Sequence, residues 1–319
     1  LLSTSIIVVG FGGETWLPPL LRSLQLSVRR FDELIIVDNG GNGSSIPSMF
    51  SDCGLTVLRT PHRMGFCDAN NFALDRLQPC ELVCFLNQDV VVDTNWLISI
   101  DRVFCENSIV GAASPVHMTY DFRRINPNFR STLRPSRLTM HKRCASGSYF
   151  QCDNLIAAAM FVRRSVLEEI GGFDPIFGSY CEDYDLCRRI RQAGFQTVVV
   201  PASRIGHFDG SATRSLAAVR RRELQTVRNW AILNTRRAPS RITELARQFL
   251  IQFPRRLINS LLRRTGCKHP TSILQAYASL MTLAPRLASD KRDAEESEKH
   301  WVNMKARMRD VGNGRRTEG

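Results

Sequence analysis

Three carboxylates, Glu182, Asp183 and Asp185, fall within four positions of "GSYCEDYDLCRRIRQAGF", and Arg188, Arg189 and Arg191 follow at once. Two chemistries fit this stretch. A helix start explains the order of the charges, because the helix dipole favours acids in the first turn and bases in later ones. Leu186, Ile190 and Ala193 then share one apolar face, and Gly194 closes the helix. A carboxylate so placed can also act as a general base. Three further residues stand at the exits of apolar runs: Asp38, Asp89 and His207. Together with Glu182 and Asp183 they form an oxygen-rich set that suits a hard divalent cation, Mg²⁺ or Mn²⁺, and a diphosphate. Each has a plain structural reading of its own. Asp38 can cap the turn in "DNGG", Asp89 can end a strand, and His207 can be a satisfied loop histidine. The joint pattern is what points to a site. Asp93, Asp153 and Asp174 read as structural.

These residues need elements to hold them. "SIIVVGF", Leu34–Val37 of "DELIIVDNGGNGSS", "LTVLRT" and "ELVCFLNQDVVV" are short apolar, β-branched runs, and helical patterns separate most of them. The helices read as "TWLPPLLRSLQLS", with Leu17, Leu20, Leu21 and Leu24 on one face, "GFCDANNFALDRL", starting near Asp68, and "TNWLISIDRVFCE", capped by Asp93 or Thr94. Near-continuous apolar strands alternating with helices signal a parallel α/β sheet covered on both faces. Ligands of such sheets bind beyond the carboxyl ends of the strands, which here read "GFGG", "DNGG" and "NQD". Residues 119–151 read as an irregular excursion, and a last strand leads to His207. No GxxxxGK[ST] loop is present and "GFGGE" does not match GxGxxG, so the P-loop and dinucleotide-binding readings are weak.

Composition divides the 319 residues. Of the net charge of +13, residues 210–319 carry about +14, with the first 209 near neutral. The basic part is helix-like, with breaks expected at Pro239, Pro254, Pro270 and Pro285 and a fraying end from Ser289. Its segment "LARQFLIQFPRRLINSLLRR" is amphipathic and basic, a pattern that suits an anionic membrane surface or packing with arginines outward. No aromatic–basic motif supports nucleic acid. No run reaches the length of a membrane span, and "LLSTSIIVVGF" reads as a strand rather than a signal peptide. The 10 cysteines have no CxxC pair, which fits buried thiols in a reducing cytosol.

Six segments in consistent order from Ser5 to Ser211 resemble the inverting family-two glycosyltransferases of GT-A fold, in particular the rhamnosyltransferase-like branch. They are "IIVVGFGGETWLPPLLRSL", "LIIVDNGGNGSS", "RMGFCDANNFAL", "VCFLNQDVVV", "AAMFVRRSVLEEIGGFDPIFGSYCEDYDLCRRIRQAGF" and "VVVPASRIGHFDGSAT". The resemblance implies a Rossmann-like, mostly parallel sheet with flanking helices over residues 1–212, and a basic helical region over residues 213–319. It implies that Phe11, Asp38, Asn70, Asn71 and Asn87 lie against the nucleotide. Asp89 matches the last acid of a DxD-like motif and, with His207, would hold Mg²⁺ or Mn²⁺. Asp183 would be the catalytic base and Glu182 would place the acceptor. The chain departs from the family at Phe11–Gly12, at Arg63 and at Asn87–Gln88–Asp89, which holds a single acid.

The expectation is a metal-dependent inverting hexosyltransferase. It would use a nucleoside-diphosphate sugar such as dTDP-rhamnose. The acceptor would be a saccharide or polyprenyl-linked glycan, and the enzyme would be cytoplasmic, peripheral on the inner membrane face, in cell-surface polysaccharide synthesis. A nucleotidyltransferase is the enzymatic alternative, although "GFGGETW" lacks the basic residue that chemistry wants. A non-catalytic basic scaffold or nucleic-acid binder is the other.

Overall fold

The structure, a computed structural model, describes residues 1–11, 15–40, 55–133, 139–140, 149–209, 215–262 and 268–289. The Gly/Asn/Ser loop after residue 40, much of the 119–151 excursion and the tail from residue 290 lie outside the described residues. Two compact units divide the chain. One takes Leu1–Pro175 with Asp183–Asp209, the other Ile176–Glu182 with Gly210–Gly319. The second unit thus takes in a segment, Ile176–Glu182, that the sequence reading kept with the first.

The first unit is built on one sheet, with strands β1 (Thr4–Gly10), β2 (Glu33–Asp38), β3 (Leu55–Arg59), β4 (Leu82–Asn87), β5 (Val90–Val92), β6 (Val110–Thr119), β7 (Thr139–Met140), β8 (Phe150–Gln151), β9 (Ala159–Arg163) and β10 (Gln196–His207). Their order is β3-β2-β1-β4-β9-β6-β10-β8-β7, with β5 on β10. β1 pairs in parallel with β2 and β4, and β6 with β10, while β9 runs against both β4 and β6. Ile6, Val8, Leu34, Ile36, Cys84 and Leu86 are buried in the core, because strands covered on both faces have no side for polar residues.

Helices α1 (Leu17–Gln25), α2 (Phe66–Leu74), α3 (Trp96–Glu106), α4 (Pro127–Leu133), α5 (Arg164–Ile170) and α6 (Glu182–Gln192) follow. α1 buries Leu17, Leu20, Leu21 and Leu24, with its two prolines in the first turn, where the missing N–H breaks no helical bond. α3 has Asn95 in the cap position and no side-chain cap. Asp93, expected as its cap, instead accepts the Asn95 N–H at 3.0 Å. α2 starts at Phe66, two residues before the expected Asp68.

The charged helix α6 resolves differently from a solvated face. Asp185 is fully buried, and its two oxygens take Arg188 at 3.2 Å and Arg189 at 2.8 Å. Arg189 also donates to the carbonyls of Ile170, Gly171 and Gly172. From the other side, the Asn71 amide donates to the Phe173 carbonyl at 2.7 Å and accepts the Phe173 N–H at 2.9 Å. Gly172 is required there, since a Cβ would land on the Asn71 side-chain oxygen. So the "GGFD" turn is a packing device gripped by α2 and α6. Gly194, at φ +86°, ends α6 as expected. Replacing Arg189 by Leu should destabilise the fold by about 3 kcal/mol or more, because it strips a buried carboxylate of a partner. Urea unfolding of the variant measures this.

The second unit is helical: α7 (Leu216–Arg237), α8 (Arg241–Arg247), a π-helical turn (Gln248–Gln252), α9 (Phe253–Leu261) and α10 (Pro270–Ser289). Pro254 and Pro270 sit in first turns, but α10 runs on through Pro285. Val227, Ala231, Ile273, Ala276 and Leu280 are among its buried residues. Among the described residues no helix is long and apolar enough to cross a membrane.

Candidate active site

Register brings the strand ends together. Gly10 pairs with Asp38 and Val9 with Asn87, so the exits of β1, β2 and β4 lie side by side. Two residues past β4 the chain reaches Asp89 and turns back as β5, which pairs antiparallel with the end of β10, Val90 opposite His207. Asp89 and His207 therefore meet, with His207 Nε2 3.4 Å from Asp89 Oδ1, both side chains buried. The Phe208 N–H donates to the Asp89 carbonyl at 3.1 Å. His117 supports the pair, its ring edge-on to His207 at 5.9 Å and stacked on Phe129 at 4.6 Å. Burial drives the His117 pKa well below the ordinary imidazole value, and the nearby His207 adds to this.

Asp183 lies in the first turn of α6. Its Oδ1 accepts the Tyr184 N–H at 2.9 Å, and the Ala157 N–H also bonds the carboxylate. Desolvation pushes its pKa up to about 6, against the pull of those N–H groups, although the side chain keeps some opening to solvent. The neighbouring carbonyl, of Ala158, accepts the Asn87 N–H at 2.9 Å. Consecutive alanines thus tie Asp183 to the strand end that carries Asp89. A run of small side chains, Ala157–Ala159, permits that approach.

Side-chain amides fix the loops. Gln88 Oε1 accepts the Phe11 N–H at 3.0 Å and Gln88 Nε2 donates to the Phe11 carbonyl at 2.9 Å. Asn39 treats Met64 in the same way, at 3.0 and 2.8 Å. Phe11 itself is 39% exposed and carries the Arg63 guanidinium 3.8 Å over its ring. Asp38 lies 3.9 Å from Arg59. Asn70 donates to the Phe66 carbonyl within its own helix, and Asn71 holds Phe173 as described above. No sequence signal marks Gln88 or Asn39 as a loop anchor, or joins Trp16, Tyr120 and Phe208 in an aromatic cluster. Trp16 and Phe208 are 4.3 Å apart and Tyr120 stands edge-on to both. Burial raises the Tyr120 pKa and Asp89 raises it further, which puts the phenol near the Asp89–His207 pair.

Glu182, at the head of α6, is buried. The loop before it, within the second unit, is strained: Tyr180 and Cys181 adopt φ of 70° and 67°, a region that L side chains avoid at a cost of ~1–2 kcal/mol each. Asn229 Nδ2 reaches the carbonyls of Phe177, Ser179 and Tyr180, and Arg228 those of Ile176 and Phe177. That grip holds the loop in a shape it would otherwise leave.

Can these residues hold a divalent cation? One carboxylate and one imidazole in contact form a hard donor pair, and no cluster of three or more His, Cys, Asp or Glu suited to a metal occurs among the described residues. A pair of this kind fits an ion whose remaining ligands are substrate phosphates and water, the usual habit of Mg²⁺. The three arginines of α6 are engaged elsewhere, Arg188 and Arg189 with Asp185 and Arg191 with the Asp153 carbonyl.

Residues 45–229 match the model of the "Glycosyltransferase like family 2" domain. The chain belongs to glycosyltransferase family 2. It is 30% identical over 193 residues to the pre-mycofactocin glycosyltransferase of Mycobacterium tuberculosis, covering 59% of this chain and 39% of that protein. The N-acetylglucosaminyl-diphospho-decaprenol L-rhamnosyltransferase of the same organism is 37% identical over 59 residues, 18% of this chain and 19% of the relative. The chain therefore spans about two fifths or less of these relatives' lengths. Among solved structures, the mannosyltransferase PcManGT of Pyrobaculum calidifontis, in complex with GDP-Man and Mn²⁺, superposes with TM-score 0.56 at 15% identity, over 95% of this chain and 87% of its own. GalNAc-T7 with UDP, GalNAc and Mn²⁺ gives TM-score 0.56 at 15% identity, over 88% and 57%. The fold is the GT-A type, as the order of motifs implied, and a glycosyltransferase family leaves the nucleotidyltransferase and scaffold alternatives without support.

Proposed function

We propose that residues 1–212 catalyse a single inverting displacement. A hexosyl group moves from a nucleoside-diphosphate sugar to a hydroxyl of a saccharide or lipid-linked glycan, with dTDP-rhamnose as first donor. The observation that carries this reading is the anchoring of two different groups on adjacent residues. Ala157 bonds Asp183, whose pKa near 6 suits a general base, and Ala158 bonds the strand end leading to the Asp89–His207 pair.

Asp183 takes the proton of the acceptor hydroxyl as that oxygen bonds the anomeric carbon. The bond from that carbon to the diphosphate oxygen breaks, and its electron pair leaves with the nucleoside diphosphate. Asp89 and His207 would hold Mg²⁺ or Mn²⁺, which neutralises charge on the leaving diphosphate when bound. Gln88 and Asn39 keep the loops beyond β1 and β3 in place for the nucleotide, with Phe11 and Asp38 at its base and ribose. Glu182 places the acceptor. The rhamnosyltransferase relative, named for a decaprenol-linked substrate, supports both the donor and the lipid-linked acceptor.

Calorimetric titration of UDP and dTDP into the full chain, with and without Mn²⁺, tests the reading. Metal-dependent binding of one of them is the expected result. Folded protein that binds neither nucleotide would sink the proposal.

A further inference from the structure

The α8–π–α9 segment of the second unit packs Phe249 and Phe253 on Tyr277, with ring centroids at 5.8 and 4.8 Å, and leaves a second apolar face outside. Its buried residues are Leu245, Gln248 and Ser260, two of them polar. Both polar side chains are bonded inward: the Tyr277 hydroxyl donates to Gln248 Oε1 at 3.3 Å, and the Ser260 hydroxyl donates to the Lys268 carbonyl. The opposite face carries Leu250, Ile251, Ile258, Leu261 and Leu262, which are 55–75% exposed. These positions, with exposed Pro254 between them, recur every three to four residues, the spacing of one helix face. The π-helical turn joins α8 to α9 without a break, so the stripe runs on from one to the next.

Water is a poor solvent for five adjacent aliphatic side chains, and a patch of this kind marks an interaction site. The charges around it name the partner. Residues 241–262 hold Arg241, Arg247, Arg255 and Arg256 against one acid, Glu244, which is bonded to Arg247. Arg255 lies exposed on the stripe itself, and Arg263 and Arg264 follow in the sequence. Aliphatics flanked by arginines match the boundary between acyl chains and anionic headgroups, where apolar side chains bury and guanidinium groups meet phosphate.

We infer that the exposed face of α8–α9, Leu250, Ile251, Ile258, Leu261 and Leu262 with Arg255, docks the protein on the surface of an anionic phospholipid bilayer. The segment lies in the interface and does not span it. The inference rests on the proposed function only for its purpose, access to a lipid-linked acceptor. Its chemistry stands on the second unit alone.

Co-sedimentation of the full chain with vesicles, in the absence of donor, decides the matter. Vesicles of phosphatidylglycerol should carry the protein down, and pure phosphatidylcholine far less. Leu250→Gln/Ile251→Gln/Ile258→Gln should abolish binding at 0.1 M salt, about physiological strength, while leaving the melting curve unchanged, since all three side chains are exposed. Arg255→Gln should weaken it by about fivefold. No binding to phosphatidylglycerol, or equal binding by the triple variant, would overturn the inference. So would a dimer in sedimentation velocity that the triple variant makes monomeric while wild type ignores vesicles, which would give the face to a second copy. Nucleotide titration on the same preparation shows separately whether the donor site is intact.

Discussion

Asp183→Asn should lose most of its sugar transfer and gain on wild type in melting temperature as pH rises from 4 to 6. The sign follows from the direction of the shift. Desolvation raises the folded-state pKa of Asp183 from 3.8 to about 6, so folding favours the protonated carboxyl. That contribution is fully present below the unfolded value and is lost as pH rises through about 6. Asn never ionises and loses nothing over the same range. The variant's advantage opens between pH 4 and 6 and is flat above. The full shift corresponds to about 3 kcal/mol, and the partial opening to solvent discounts this to about 1–2 kcal/mol. A few degrees in melting temperature is the expected size. Transfer should fall by ~10²–10⁴-fold, the usual loss when a general base goes. The wild-type kcat/KM profile should rise through a limb near pH 6 that the variant lacks. Thermal melts from pH 4 to 8 and a rate profile over the same range measure both. A stability difference between variant and wild type that stays constant from pH 4 to 8 would refute the assignment of the raised pKa.

Asp89→Ala removes the metal dependence of nucleotide binding. The Asp89–His207 pair is the only protein contribution foreseen to the ion, so losing one of two donors should exceed the ~10–100-fold typical for an outer-shell partner. Calorimetry should show nucleoside diphosphate binding in wild type that chelation of Mn²⁺ reduces. The variant should bind at the chelated level with or without the ion. His207→Ala should behave alike. Metal-dependent binding of undiminished strength in Asp89→Ala would place the ion elsewhere.

Much of the first unit was legible because its strands are buried on both faces. "SIIVVG", "ELIIVD" and "ELVCFLN" read as strands with little ambiguity, and β1, β2 and β4 lie where they fall. The antiparallel insertion of β9 between β4 and β6 was not legible, because its partners are distant in sequence and its composition matches a parallel strand equally well. The 119–151 excursion read as irregular, yet it contains α4, β7 and β8. Short elements give too few residues to show a period. Pro285 read as a break and sits inside α10, where the packed faces of Ile273, Ala276 and Leu280 outweigh one lost hydrogen bond. In the site, Asp89 and His207 were visible because both types stand at strand exits, and their 3.4 Å contact follows from the β5–β10 register. The amides were harder. A side-chain amide suits a nucleobase and a backbone peptide equally, so nothing in "DANN" tells that Asn71 grips Phe173 or that Asn70 bonds Phe66. The depth at which Asp185 pairs with Arg189 was not legible, because helix-dipole order accounts for the same charges without burial.

Three loops hang on one kind of bond: Gln88 on Phe11, Asn39 on Met64 and Asn71 on Phe173, each amide giving one hydrogen bond and taking another. Hydroxyls and a neutral imidazole can also do both, but an amide matches the spacing of the peptide's own donor and acceptor. It is also the one that hydrolyses slowly on its own, and the product carboxylate keeps the acceptor, loses the donor and sets a negative charge against a carbonyl oxygen. Asn39 precedes Gly40, a neighbour with no side chain to hinder ring closure onto the amide carbon. Deamidation of Asn39 would therefore charge the anchor of Met64, and chemical ageing of this kind would begin just past β2.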